Sequence, residues 1–127
     1  MDFPALIAQK DEVIREYRDQ HYASLLDDAN ETGQPPIEVV PRAGAIRDTR
    51  GVIKMVLDRP TGRVVGVSML GVNAGEVIHE AAMALRFGAT TDDFIDLIHV
   101  YPTMAEALKL VAISFTKDVN RLSCCAS

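Results

Sequence analysis

Cys124 and Cys125 stand side by side four residues from the end of the sequence, and they are the only thiols in 127 residues. A cysteine inside a packed element serves as a small hydrophobe. A pair at a chain end has no core to fill. Exposed thiolates are soft ligands that select soft ions, Hg(II) and Cu(I) foremost. The pair is therefore expected to act as a soft-metal dithiolate; an accidental Cys-Cys at a frayed terminus is the alternative. Zinc wants four ligands at looped spacings, which two adjacent cysteines do not supply. Neighbouring Cα atoms lie ~3.8 Å apart, below the roughly 4.4–6.8 Å of ordinary disulfides. A Cys124–Cys125 bridge would be strained and easily reduced, so the dithiol form points to a reducing compartment, the cytoplasm. Hg(II) prefers two sulfurs on opposite sides, which vicinal residues reach only with backbone strain. Such a clamp suits a relay better than a store.

Tyr101 lies in Ile98-His99-Val100-Tyr101-Pro102-Thr103, just ahead of a helical pattern. A phenol at a helix mouth can touch a ligand or metal; an amphipathic tyrosine at the core edge is the alternative. Pro102 fixes the local backbone and so can aim the ring. His99 reads as a base or ligand, or as a structural histidine at a helix end. Glu106 either orients a partner or satisfies a helix N-terminus. His79 and Glu80 share a helix without a second histidine four residues on, so no zinc-protease pair exists there. His21 is expected to face solvent. Arg42, Arg47 and Arg50 flank a strand pattern, where they pair with the acidic surface or a partner subunit, or stay solvated.

These residues need elements to position them. The composition, 48% hydrophobic and 24% charged, is that of one soluble domain long enough to bury a core. No apolar run has the length of a membrane span. Met1-Asp2-Phe3-Pro4 lacks a basic n-region, so no signal peptide is expected. The net charge of −5 and the lack of a basic patch make nucleic acid a poor partner. Leu6, Ile7, Val13, Ile14, Tyr17 and Leu25 recur at helical spacing within residues 3–27. The polar stretch ending in Pro35-Pro36 reads as a linker. Ile37 to Val40 reads as a short extended run. Gly51–Asp58 and Arg63–Leu70 are rich in Val and Ile, and Arg59-Pro60-Thr61-Gly62 between them suits a hairpin turn. Ala43–Arg47 is expected as a third strand beside the pair.

Ala74–Phe87 is expected as a helix with Ile78, Ala81, Ala82 and Leu85 on its buried stripe and Gly88 ending it. Thr90 or Thr91 caps the next short helix, with Asp92 and Asp93 in its first turn. Pro102 suits the N1 position of a last helix reaching about Lys117, with Met104, Leu108, Val111 and Phe115 inward. From Asp118 onward no regular pattern remains. The fold class expected is α+β: an antiparallel sheet with helices packed on it, preceded by an N-terminal helix. The organisation expected is residues 1–28 as that helix, 29–36 as linker, 37–117 as the sheet-and-helix domain and 118–127 as a metal-binding tail. Gly62-Arg63-Val64-Val65-Gly66 lies in a hairpin and opens no helix, so it is not a phosphate loop.

Thr49-Arg50-Gly51-Val52-Ile53-Lys54, Gly75-Glu76-Val77-Ile78, the run Tyr101-Pro102-Thr103-Met104-Ala105-Glu106-Ala107-Leu108-Lys109-Leu110, Lys117-Asp118-Val119 and Leu122-Ser123-Cys124-Cys125-Ala126 together resemble the C-terminal dimerisation domain of the mercuric reductases. These are flavin-dependent pyridine nucleotide–disulfide oxidoreductases. The resemblance covers about residues 37–127, and Leu-Ser-Cys-Cys-Ala is its most specific part. Relatives carry a His-x-His-Pro-x-x-x-Glu element whose second His and Glu form an acid–base dyad. Here the stretch reads His99-Val100-Tyr101-Pro102-Thr103-Met104-Ala105-Glu106, so Tyr101 takes the catalytic His position, as in mercuric reductases. Asp2-Phe3-Pro4-Ala5-Leu6-Ile7 with Lys10-Asp11-Glu12 and Tyr22 is similar to a helix of the FAD domain.

The resemblance implies a homodimer whose tail thiolates, Cys124 and Cys125, take up Hg(II) as substrate and hand it to a reductase active site, with a full-length reductase as a further partner. The flavin and nicotinamide domains and the Cys-x-x-x-x-Cys pair of the family have no counterpart between Asp28 and Pro36. Neither FAD nor NADPH is therefore expected in this chain alone, nor is reductase activity, because the cofactor does the electron chemistry. The alternatives are a stand-alone soft-metal-binding homodimer and an inert remnant of a larger flavoenzyme.

Overall fold

The computed structural model describes Glu12 and residues 30–122. Two compact units are distinguished, Met1–Asn30 and Glu31–Ser127. Of the helix expected over residues 3–27, Glu12 is helical and exposed, and the rest lies outside the described residues. So do Cys124 and Cys125.

Three strands form one sheet in the order β1 (Asn30–Gly33), β2 (Val52–Asp58), β3 (Arg63–Leu70). β2 and β3 pair antiparallel, with Val52 opposite Leu70 and Asp58 opposite Arg63. The Arg59–Gly62 turn closes as expected, through Gly62 N–H donating to Asp58 O at 2.8 Å and the Thr61 hydroxyl donating to the Asp58 carboxylate. Ile53, Met55 and Leu57 alternate inward along β2. Strict alternation in β3 would put either Val64 or Val67 outside. A bulge between Val56 and Leu57 resolves this: Leu57 opposes Val64 while Met55 opposes Val67. The extra residue keeps both valines on the core side and increases the local twist.

Three expectations are corrected here. Ala43–Arg47 is no strand. Pro41 sits at the first position of a short helix, α1 (Pro41–Ala45), where its missing N–H and fixed φ suit a helix start. Asn30–Gly33 supplies the third strand from within the stretch read as a linker. Ile37–Val40 is likewise not extended: Ile37–Val39 is a 3-10 turn closed by Val40 N–H on Ile37 O at 2.9 Å. Its product is inward burial, because Ile37, Val40 and Ala43 are all fully covered.

The helix α2 (Ala74–Arg86) matches its expected range, with Gly88 left-handed just past its end. Its buried residues are Val77 and Ala81, with Ile78 and Leu85 half-buried; Ala82, expected inside, is exposed. The next helix, α3 (Thr91–Asp96), buries Phe94. Its start lies beside β3, where Val64 N–H donates to Ala89 O at 2.9 Å. The Asp93 carboxylate reaches back and accepts both the backbone N–H (2.7 Å) and the hydroxyl (2.9 Å) of Thr90. These bonds, the backbone one first, hold the Asp93 carboxyl below its usual pKa of 3.8. A carboxyl lowered on folding stabilises the fold above its unfolded pKa and loses that contribution as pH falls through the folded value. Asp93→Ala is therefore expected to lower the melting temperature near neutrality. The gap to the wild type should close as melts are recorded at pH values below 3.8.

Last comes α4 (Glu106–Ile113). It buries Ala107, Leu108, Val111 and Ala112 against β2 and the 3-10 turn. Met104 is buried too, and Phe115 is half-buried. Pro102 does not stand at N1 as expected. The helix starts four residues later, and Asp118, where no pattern was expected, accepts the Asn120 N–H to open a 3-10 turn over Val119–Arg121. Side chains from all these layers, except that last turn, form one apolar cluster. The architecture is α+β, with α2 packed on β3 and α4 on β2.

Candidate functional site

The segment between α3 and α4 carries the expected site tyrosine, and its side chains alternate. Ile98 is 91% exposed and Val100 77%, whereas the His99 side chain between them is only 5% exposed. Tyr101 is 55% exposed and is joined to Pro102 by a cis peptide. Met83 of α2 and Phe87, the residue that caps its end, are both exposed and four residues apart. Large apolar side chains are thus exposed both on this strip and along the helix.

His99 is not a presented base or ligand. Its Nε2 meets Glu80 Oε1 of α2 at 2.9 Å. That is the structural option of the two open for it. Glu106 takes the second of its own options: Thr103 N–H donates to Glu106 Oε2 at 3.0 Å. The sequence carried that signal. Thr103-Met104-Ala105-Glu106 is the Thr-x-x-Glu pattern in which the glutamate satisfies the backbone N–H three residues before it, and it places the helix start beyond Pro102. Lys109 Nζ, one turn into α4, donates to Leu97 O at 3.5 Å. The segment is thus tied to α2 through His99 and to α4 through Leu97.

Arg50 pairs with Asp48, Nε on Oδ1 and Nη2 on Oδ2, both at 2.8 Å. The guanidinium bonds hold the Asp48 carboxyl below its ordinary value. This exposed pair rims an open cleft of about 370 Å³ lined also by Gly51, Leu70, Gly71 and Val72. The cleft is mostly apolar and holds no nucleophile. His79 is exposed on α2. Among the described residues no three His, Cys, Asp or Glu side chains converge on a metal position, and no helix is long and apolar enough to cross a membrane.

Residues 22–112 match the dimerisation domain of the pyridine nucleotide-disulphide oxidoreductases. The chain belongs to that family. The match begins ahead of Ile37, inside the stretch that the sequence divided into helix and linker. The chain is 48% identical over 91 residues to a mercuric reductase of Lysinibacillus sphaericus, covering 72% of this chain and 17% of that protein. It is 39% identical over 123 residues to a mercuric reductase of Shewanella putrefaciens, covering 97% of this chain and 22% of that protein. The chain thus spans about a fifth of the length of these curated relatives. Among solved structures it is similar to the Cu(II) complex of a mutant HOCl-induced flavoprotein disulfide reductase from Escherichia coli. There the TM-score is 0.68 at 31% identity, covering 78% of this chain and 22% of that one.

The oxidoreductase family implies a flavin and a nicotinamide, and the described residues do not fit either. Dinucleotide sites need a glycine-rich turn between a strand and a helix of a parallel βαβ unit. Here β2 and β3 are antiparallel and joined by a tight turn. What this dimerisation-domain fold offers is a presented tyrosine, an apolar strip and a helix face.

Proposed function

We propose that the chain is a self-associating unit of mercuric-reductase type whose tail thiolates, Cys124 and Cys125, capture Hg(II) and pass it to an acceptor thiol pair. The observation that carries this reading is the state of the Tyr101–Glu106 element. Relatives with a histidine at this position use it with the glutamate as a proton-shuttling dyad. Here the position is a phenol, which does not exchange protons near neutrality as an imidazole does, and Glu106 is spent on Thr103. A half-exposed phenol in that place does not suit thiol–disulfide acid–base work, which leaves the tail thiolates as the groups for a soft ion.

The handover is ligand exchange. Two acceptor thiols replace Cys124 and Cys125 one at a time, and each incoming thiol yields its proton to the departing thiolate. Mercury stays divalent and no electron moves. Cu(I), the other soft ion these sulfurs would take, is the ion to run in competition.

A second copy of the chain is the partner that the dimerisation domain and the apolar strip support. Ile98→Lys combined with Phe87→Lys is expected to weaken self-association at least ~30-fold, since one buried anchor is worth about 2 kcal/mol or more. Sedimentation velocity across a concentration series checks it. A wild type that stays monomeric at high micromolar concentration would end the dimer reading. Metal capture is tested by calorimetric titration of the reduced protein with Hg(II) against a competing monothiol. Stoichiometric uptake is expected; no uptake beyond the competitor overturns the proposal.

A further inference from the structure

We infer that His99 and Glu80 form a positioning clasp that holds the Leu97–Tyr101 strip in its outward-facing form, and that dimer affinity depends on this clasp. The inference rests on the homodimer reading above. In a five-residue segment with no regular hydrogen bonding, Ile98 and Val100 point out and His99 alone points in. Its side chain is only 5% exposed. Its reward there is the bond from Nε2 to Glu80 Oε1 at 2.9 Å. Nδ1 is buried with no hydrogen-bond partner among the described residues. An imidazole buried with one nitrogen unsatisfied is a poor way to stabilise a fold, because an unpaired buried polar atom carries a desolvation penalty. It is a good way to specify one arrangement, a use attested for some buried polar pairs.

The geometry says which arrangement. Glu80 and Met83 follow i, i+3 spacing and so lie on one stripe of α2, with Phe87 capping the helix one turn further on. Bonding His99 to Glu80 holds the strip against the helix that carries Met83, with Ile98 and Val100 on either side of the bond left exposed. It also fixes the residue two before Tyr101. The Lys109 bond to Leu97 O is long and the Glu106 bond lies beyond the turn, so neither fixes the inward turn at His99.

The test separates positioning from folding. His99→Leu fills the space but cannot donate. It is expected to weaken dimerisation by about 10- to 100-fold, the range for losing a hydrogen bond to a charged group, while the melting temperature of the monomer hardly moves. His99→Gln places an N–H donor near the Nε2 position and should restore the affinity to within about 3-fold. Glu80→Leu should match His99→Leu, and the double Leu variant should be no weaker than either single one, as a shared interaction demands. Backbone amides of residues 98–100 should exchange faster in His99→Leu than in the wild type, both measured at monomeric dilution. Unchanged dimer affinity in His99→Leu, a His99→Gln variant as weak as His99→Leu, or additive losses in the double variant would each overturn the clasp. A monomeric wild type defeats the homodimer reading instead, and the amide exchange then decides on the clasp by itself: equal rates discard it.

Discussion

Replacing both tail sulfurs, Cys124→Ser with Cys125→Ser, is expected to lower Hg(II) affinity by far more than ~100-fold, because that is already the upper range for losing a residue that only hydrogen-bonds to a metal's ligand. Hydroxyls are hard donors and do not substitute for thiolates on a soft ion. The same variant should melt and dimerise as the wild type does, since the core and the strip are built from residues 37–119. Capture should also depend on pH with a definite sign. The ligand is the thiolate, and an ordinary thiol ionises near ~8.5. Each proton must leave before its sulfur binds, so apparent affinity rises with pH up to that region and falls as the solution is acidified. Calorimetry of both proteins against a competing monothiol, at two pH values, reads all of this. Equal uptake by the serine variant would leave the sulfurs without a role and reduce the chain to a pairing domain.

What the sequence disclosed followed how local its causes were. The hairpin was legible because Pro60 and Gly62 punctuate two Val- and Ile-rich runs, and both strands fall where expected. The helix Ala74–Arg86 and the Thr90–Asp93 start were legible for the same reason: periodicity and caps lie within a few residues. The third strand was not. Asn30-Glu31-Thr32-Gly33 has the composition of a turn, and only the waiting edge of β2 makes it a strand, a tertiary override of propensity. The helix start after Pro102 was misplaced because proline at N1 was weighed without the Thr103–Glu106 reach-back. The His99–Glu80 contact joins residues nineteen apart, and no local pattern announces such a pair. Its trace is the alternation Ile98, His99, Val100, which marks His99 as the inward residue once Ile98 and Val100 are known to be outward. Tyr101 is half-exposed, which both readings of it in the sequence allow. The reason it is presented, a strip tied at both ends, was not legible.

Gly51→Ala is expected to be the most damaging single substitution in the hairpin, at about 2–4 kcal/mol. Gly51 immediately precedes β2 with φ +128°, a conformation that side-chain-bearing residues rarely adopt, and a Cβ there would sit 2.0 Å from Leu70 O. The obstruction is backbone, not the end of a flexible side chain, so the strand ends must separate for it to fit. That separation would not stay local. Gly51 O accepts the Ile37 N–H at 3.2 Å, and Ile37 is fully buried in the core cluster. Gly75→Ala is the matching control: its Cβ would meet nothing within 4 Å, and in the first turn of α2 it should leave stability unchanged or raise it by up to ~1 kcal/mol. With domain stabilities of about 5–15 kcal/mol, the Gly51 variant forfeits a large share, and its urea midpoint should fall well below those of the wild type and Gly75→Ala. Because β2 packs on α4 and α2 on β3, a hairpin opened at Gly51 also loosens the platform under the Leu97–Tyr101 strip. Dimerisation should therefore weaken in this variant together with the fold, unlike in His99→Leu, where affinity falls while the melt stays in place. A Gly51→Ala protein as stable as Gly75→Ala would mean that β2 and the end of β3 do not approach at Leu70 as described, and the register of the hairpin would have to be redrawn.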